Sequence, residues 1–399
     1  MDNMLLQNLE IYIHGTQIKV RGCIDHHEYH ASENASSALQ TAIDTLSENG
    51  GGDIYLHPGN YLITEPIKLA SNITLRGSNR GTWLSIQCET GLLLDTVDGV
   101  TICDLAVTND GQAKNGIVVD NCGDCVVRDV FCSGFTDYGI WVRNNSFLCE
   151  LRGCKLADNG KSNLYFDTLA KDGRGGDFVP NLATNCITYG GGTGIETKNA
   201  IVLNLIACVV FQPQNIGFHI HSISNSVLIS GCRTFQCEQQ AVVVDESHEI
   251  NISSNVFCWH RGDGIVLRNV AWGTITGNEI IDSGVRVRQP PYTIGIVLEG
   301  ETRGVQVTGN TIFNWGDQVP MRGGIKEEAT CHDNILSINN INYYEDFDII
   351  SEGKNTQRAA NHASIPAFVG LENDGFPDYN RERIQNFIAQ LMPKPRKTV

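Results

Sequence analysis

Short runs of alternating apolar and polar residues recur about every 23 residues between Gly116 and Ile341. Nine of them align: Gly-Ile-Val-Val-Asp at 116–120, Gly-Ile-Trp-Val-Arg at 139–143, Asn-Leu-Tyr-Phe-Asp at 163–167, Gly-Ile-Glu-Thr-Lys at 194–198, Gly-Phe-His-Ile-His at 217–221, Ala-Val-Val-Val-Asp at 241–245, Gly-Ile-Val-Leu-Arg at 264–268, Gly-Ile-Val-Leu-Glu at 295–299 and Gly-Ile-Lys-Glu-Glu at 324–328. Period-2 alternation predicts strands, and a fixed period with occasional insertions predicts a solenoid. A unit of this length without a 3.6-residue apolar period is too short for a helical pair, and it lacks the leucine-rich signature. One coil of a parallel β-helix per repeat remains.

A second ladder keeps the same phase through Cys154, Cys186, Cys208, Cys232, Asn255, Asn278, Asn310 and Asn340. Small buried thiols followed by stacked asparagines, hydrogen-bonded from coil to coil, are the expected arrangement.

The opening adds a resemblance. Ser36-Ser37-Ala38-Leu39-Gln40-Thr41-Ala42-Ile43-Asp44 reads as a short amphipathic helix. A glycine run at 50–52 and a strand ending in Pro58-Gly59-Asn60-Tyr61 follow. These features, with the repeat, resemble the pectate-lyase-like superfamily of carbohydrate-active β-helices over roughly residues 36–345. The fold expected is all-β: a single-stranded right-handed parallel β-helix with an N-terminal capping helix and a C-terminal tail. The expected boundaries are an extension at 1–35, the β-helix at 36–345, and a tail at 346–399 with a helical stretch at 381–391.

Composition narrows the partners. A net charge of −16 argues against a general nucleic-acid surface. No long apolar run is present, and the first residues lack a basic, apolar leader, so neither a membrane span nor secretion is expected. The fourteen cysteines then read as reduced core residues of a cytoplasmic protein. Cys122-Gly-Asp-Cys125 alone is a weak zinc signal. No cofactor is implied. A homo-oligomer, a trimer by analogy with other β-helix proteins, is expected, with Val243, Val266 and Val297 as docking face or site floor.

The alternation locates the candidate chemistry. Counting each leading residue as zero, positions +1 and +3 of the first eight runs are apolar in fifteen of sixteen cases and must face the core. Positions +2 and +4 face out, and the middle coils set Tyr165, Asp167, Glu196, Lys198, His219, His221, Asp245 and Arg268 in one patch, with Trp141 and Arg143 at its edge. Glu196, Asp245, His219, His221 and Asp167 are the candidates for catalysis. Trp141, Arg143, Tyr165, Lys198, Arg268, Arg174, Asp263, Glu299 and Lys326 are the candidates for substrate contact. Insertions at 171–177, 286–292, 315–318 and 259–263 are candidate site loops. His219, His221, Glu196 and Asp245 also offer metal ligands, but Lys198 beside them opposes a cation, so no metal is expected.

Three functions fit. The leading expectation is a glycoside hydrolase or glycosyl-transferring enzyme on an oligosaccharide or polysaccharide, with Glu196 as acid and Asp245 or Asp167 as its partner. The polygalacturonase motifs Asn-Thr-Asp, Gly-Asp-Asp, Gly-His-Gly and Arg-Ile-Lys do not occur in order. The second is a polysaccharide lyase or uronate epimerase, in which His, Tyr, Lys or Arg moves a proton α to a carboxylate. The third is a non-catalytic glycan-binding solenoid.

Overall fold

The computed structural model describes residues 8–168, 179–284, 293–314, 321–342 and 344–364. They form a right-handed parallel β-helix whose coils each contribute one strand to each of three sheets of 16, 13 and 12 strands. One coil runs Asn225–Ser230, Arg233–Phe235, Val242–Asp245 through the first, second and third sheets. Pairing between coils is parallel and in register, so every side-chain position becomes a column along the solenoid.

The first edge is closed by the chain's own start. Helix Ala35–Ser47 buries Ala38, Leu39, Ala42, Ile43 and Leu46 against the bottom coil, and Asn34 caps it by accepting from Ser37 N at 3.1 Å. Strands Asn8–His14, Gln17–Gly22 and Glu28–Ser32 extend the first sheet, the first two as an antiparallel hairpin. Residues 8–32 are therefore part of the fold, where an extension was expected; they cover an edge that would otherwise present unpaired strand groups. The coils also continue past 345, through Tyr344–Ser351, Gln357–Ala359 and His362–Ser364. The helical stretch at 381–391 lies outside the described residues.

The inward alternation holds at every position. All sixteen +1 and +3 side chains are buried, including Thr197, the one polar member. The glycines that begin these runs sit where the chain turns the corner into the third sheet. A Cβ on Gly116 would lie 2.4 Å from Cys132 Sγ, and one on Gly139 would lie 2.6 Å from Asn159 Nδ2.

The second ladder is built as expected up to its last rung. Cys154, Cys186, Cys208 and Cys232 are fully buried, and all fourteen cysteines are free. Cys232 N donates to Asn255 Oδ1 at 2.8 Å, and Asn255, Asn278, Asn310, Asn339 and Asn361 then pass hydrogen bonds from coil to coil. The rung after Asn310 is Asn339; Asn340 is exposed at the start of the next strand. Ile338, in the left-handed region at φ 56°, turns the chain so that the first amide of this Asn-Asn pair points inward.

His260, expected in a site loop, is core. It is fully buried between Thr234 Oγ1 at 3.1 Å and Cys237 N at 3.4 Å. Burial pushes its pKa down from 6.5 to about 3. The folded chain thus holds this ring neutral, whereas the unfolded chain protonates it near pH 6.5. Its contribution is complete above pH 6.5 and is lost as pH falls toward 3, at about 1.4 kcal/mol per unit. Urea midpoints are expected to fall steadily from pH 6.5 to 5, and His260→Asn to flatten that slope. Asn159 makes the equivalent bond to Phe135 N at the same corner, so the replacement keeps an acceptor. An unchanged slope in the variant would assign the acid sensitivity elsewhere.

Candidate active site

The patch is set out on consecutive strands of the third sheet. Trp141 and Arg143 lie on Tyr138–Arg143, Tyr165 and Asp167 on Ser162–Asp167, and Glu196 and Lys198 on Thr193–Lys198. His219 and His221 follow on Phe218–His221, Asp245 on Val242–Asp245 and Arg268 on Ile265–Arg268. Register puts Trp141, Tyr165, Glu196 and His219 in one column and Arg143, Asp167, Lys198 and His221 in the next. Neighbours in a column are about 4.8 Å apart.

The hydrogen bonds cross these columns diagonally. His221 Nε2 meets Glu196 Oε1 at 3.0 Å, and His219 Nε2 meets Asp245 Oδ2 at 3.1 Å. The two imidazoles stack, centroids 4.4 Å apart. Each carboxylate has a second partner: the Ser162 hydroxyl donates to Glu196 Oε2, and Arg268 Nη1 donates to Asp245 Oδ1 at 2.7 Å. Arg268 Nε continues to Glu299 Oε2 at 2.8 Å. A continuous polar chain therefore runs Ser162–Glu196–His221, across the ring stack, to His219–Asp245–Arg268–Glu299.

This environment sets the charge states. Burial raises the Glu196 pKa, but the bonds from His221 and Ser162 outweigh it and hold the carboxyl below its ordinary range. Asp245 follows the same pattern, with burial opposed by His219 and Arg268. Burial first, then the charges of Asp167 and Glu196, push the Tyr165 phenol well up. Tyr138 stacks on Tyr165 at 4.6 Å and is pushed up to about 12 by burial, then by Glu196. A carboxyl held ionised is a poor general acid, so the role expected for Glu196 does not suit its surroundings.

Other candidates fall into place or out of it. Tyr165 is 5% exposed, with its hydroxyl 3.5 Å from Asp167 Oδ2. Lys198, partly exposed, has no hydrogen-bond or ion-pair partner among the described residues. Arg143 is engaged by Asp120 at 2.7 Å and lies 4.3 Å over the Trp141 ring, so that ring is no open sugar platform. Val243, Val266 and Val297 are buried under Ile216, Ile294 and Phe347, so they offer no open docking face for a second chain. This apolar strip separates the histidine cluster from Lys326, which pairs with Glu328 at 3.2 Å. Asp263 lies at the strip's edge, accepting from Ile294 N at 2.7 Å, and burial raises its pKa. Arg174 and the insertions at 171–177, 286–292 and 315–318 lie outside the described residues.

Comparison with known proteins agrees with the architecture. Residues 216–356 match the family model described as right handed beta helix region. Residues 30–91 match the one described as rhamnogalacturonase A/epimerase, pectate lyase-like. The chain folds as a right-handed parallel β-helix and is similar to the pectate-lyase-like superfamily. The A-module of the Azotobacter vinelandii mannuronan C-5 epimerase AlgE6 superposes with a TM-score of 0.74 at 17% identity, over 84% of this chain and 96% of that one. The tailspike of Escherichia coli bacteriophage HK620, solved with a pentasaccharide, gives 0.59 at 13% identity, over 77% and 63%. PfbA, a surface adhesin of Streptococcus pneumoniae, gives 0.57 at 14%, over 83% and 87%. At these identities the likeness is one of fold. No curated protein sequence matches the chain.

The β-helix presents one outward column that counting from the glycine misses. Several strands of the third sheet begin one residue earlier, at Tyr138, Ser162 and Ile294, and Ile216 and Asp263 hold the same position just ahead of their strands. The register skips the glycine: Asn115 pairs with Tyr138 and Ile117 with Ile140. Tyr138 before Gly139 and Asp263 before Gly264 were the available signal.

Proposed function

We propose that this β-helix is a carbohydrate-active enzyme that moves a proton α to the carboxylate of a uronate residue, as a polysaccharide lyase or uronate epimerase. The observation that carries this reading is the pair of stacked imidazoles, each tied to a carboxylate that the bond keeps ionised. Such a cluster supplies bases and hydrogen-bond donors rather than the neutral carboxyl a glycosidase needs to protonate its leaving group. The mannuronan C-5 epimerase among the structural neighbours supports the same class of substrate.

The patch divides the work. The His219–His221 half faces the substrate carboxylate, whose neutralisation makes the adjacent carbon acidic. Lys198, one coil away, would take the proton, and Tyr165, one coil further and a phenol kept protonated by its surroundings, would give one. Neighbouring coils at about 4.8 Å match the reach from a bound carboxylate to a group on the adjacent carbon.

The glycosidase reading keeps one supporting observation, the raised Asp263 carboxyl, but an apolar strip lies between it and the histidines. A panel of neutral and acidic polysaccharides separates the two. The ultraviolet band of unsaturated uronates, or a changed epimer ratio, is expected on acidic polymers only. New reducing ends without either change would replace this reading with hydrolysis.

A further inference from the structure

We propose that Glu196, His219 and His221 bind a divalent transition-metal ion of the zinc type, which holds the substrate carboxylate. This rests on the reading of the site as one that takes an acidic sugar. One ligand atom from each residue lies within 4.8 Å of the other two. Two imidazole nitrogens and a carboxylate oxygen with open positions form a common donor set for such ions.

Each would-be ligand already has an outer partner on the side away from the shared space. His219 Nε2 faces Asp245, itself fixed by Arg268. That bond leaves His219 Nδ1 as the lone-pair nitrogen, and this atom has no protein partner among the described residues. Ser162 donates to Glu196 Oε2, which leaves Oε1. His221 Nδ1 lies 3.0 Å from Ser222 Oγ, a hydroxyl able to accept, so with its proton on Nδ1 His221 exposes the Nε2 lone pair. Outer carboxylates and hydroxyls that orient metal-binding imidazoles are the usual second layer of such sites. His221 Nε2 and Glu196 Oε1 stand 3.0 Å apart. Two ligands of a tetrahedral ion at about 2.0–2.2 Å sit about 3.3 Å apart, so that edge needs little adjustment.

Charge balance argues the same way. With neutral imidazoles, Asp167, Glu196, Asp245 and Glu299 stand, among the described residues, with Lys198 and Arg268, while Arg143 beside them is engaged by Asp120. That surplus repels a polyuronate, and a bound dication cancels it locally. Lys198 is no bar: it bonds to neither histidine, and Asp167 is its register partner on the far side.

The test uses the full-length, tag-free chain, stripped with chelator and titrated with Zn²⁺ by calorimetry, with Co²⁺ absorption reporting geometry. One Zn²⁺ per chain and intense visible Co²⁺ bands are expected. His219→Ala and His221→Ala should each weaken binding more than 100-fold, and Asp245→Asn about 10–100-fold with all three ligands intact. His248→Ala, on the first sheet, should bind like wild type. Absence of Zn²⁺ binding, or binding that survives both ligand substitutions, would overturn the site. Because binding is read without substrate, a Zn²⁺ site in a chain inactive on uronates would uphold this inference while ending the catalytic one. Uronate chemistry in a chain that binds no metal would do the reverse.

Discussion

Lys198→Met is expected to lower turnover on an acidic polysaccharide by about 10²–10⁴-fold while leaving circular dichroism and the melting temperature unchanged. The two halves of that expectation come from one observation. Lys198 makes no hydrogen bond or ion pair with any described residue, so its removal breaks no such bond among them. Its backbone nevertheless sits between Asp167 and His221, at the centre of the patch. A lysine without a polar partner among the described residues, in an acidic surface, is explained by a ligand rather than by stability. Tyr165→Phe should behave similarly, since its hydroxyl has only a long contact with Asp167. Asp120→Asn, in the same column but engaged by Arg143, is the comparison and should retain activity. A fully active Lys198→Met chain would mean the patch is a solvated face.

Asn278→Ala is expected to destabilise the fold by about 3–9 kcal/mol, seen as a large drop in urea midpoint. The Asn278 side chain donates to Ile252 O at 2.9 Å and to Asn310 Oδ1 at 2.9 Å. It accepts from Asn255 N at 3.1 Å and Asn255 Nδ2 at 2.9 Å. Truncation orphans three groups in a fully buried column, each costing about 1–3 kcal/mol. Against a total stability of about 5–15 kcal/mol, that threatens the whole array of coils. Asn340→Ala, one residue past a rung and exposed, should change stability by no more than about 0.5 kcal/mol. Equal effects of the two substitutions would contradict the ladder.

These cases show what the residues alone could reveal. Ile195 and Thr197 inside with Glu196 and Lys198 outside follows from period-2 alternation, because a one-residue slip would bury charge. The column of Tyr138 and Ser162 did not follow, because the strand was counted from a glycine that the corner turns inward. Register placed Glu196 opposite His219, yet the bond runs to His221; side-chain rotation decides between neighbours about 5–7 Å apart. The valine strip looked open because its cover, Ile216, Ile294 and Phe347, lies outside the aligned five-residue runs. Asn339 and Asn340 differ only in which amide a left-handed Ile338 turns inward.

The central claim is that the outward face of the third sheet moves a proton α to a sugar carboxylate. Incubating the protein with a panel of polyuronates in D₂O and following the ring protons by nuclear magnetic resonance tests it most directly. The account predicts proton chemistry at that carbon on at least one polymer: deuterium retained there in an epimerised product, or loss of that hydrogen with an unsaturated end. It also predicts that Lys198→Met abolishes the change. Chain cleavage with the hydrogen retained and no unsaturated end, or no change on any uronate while a neutral glycan is hydrolysed, would contradict it.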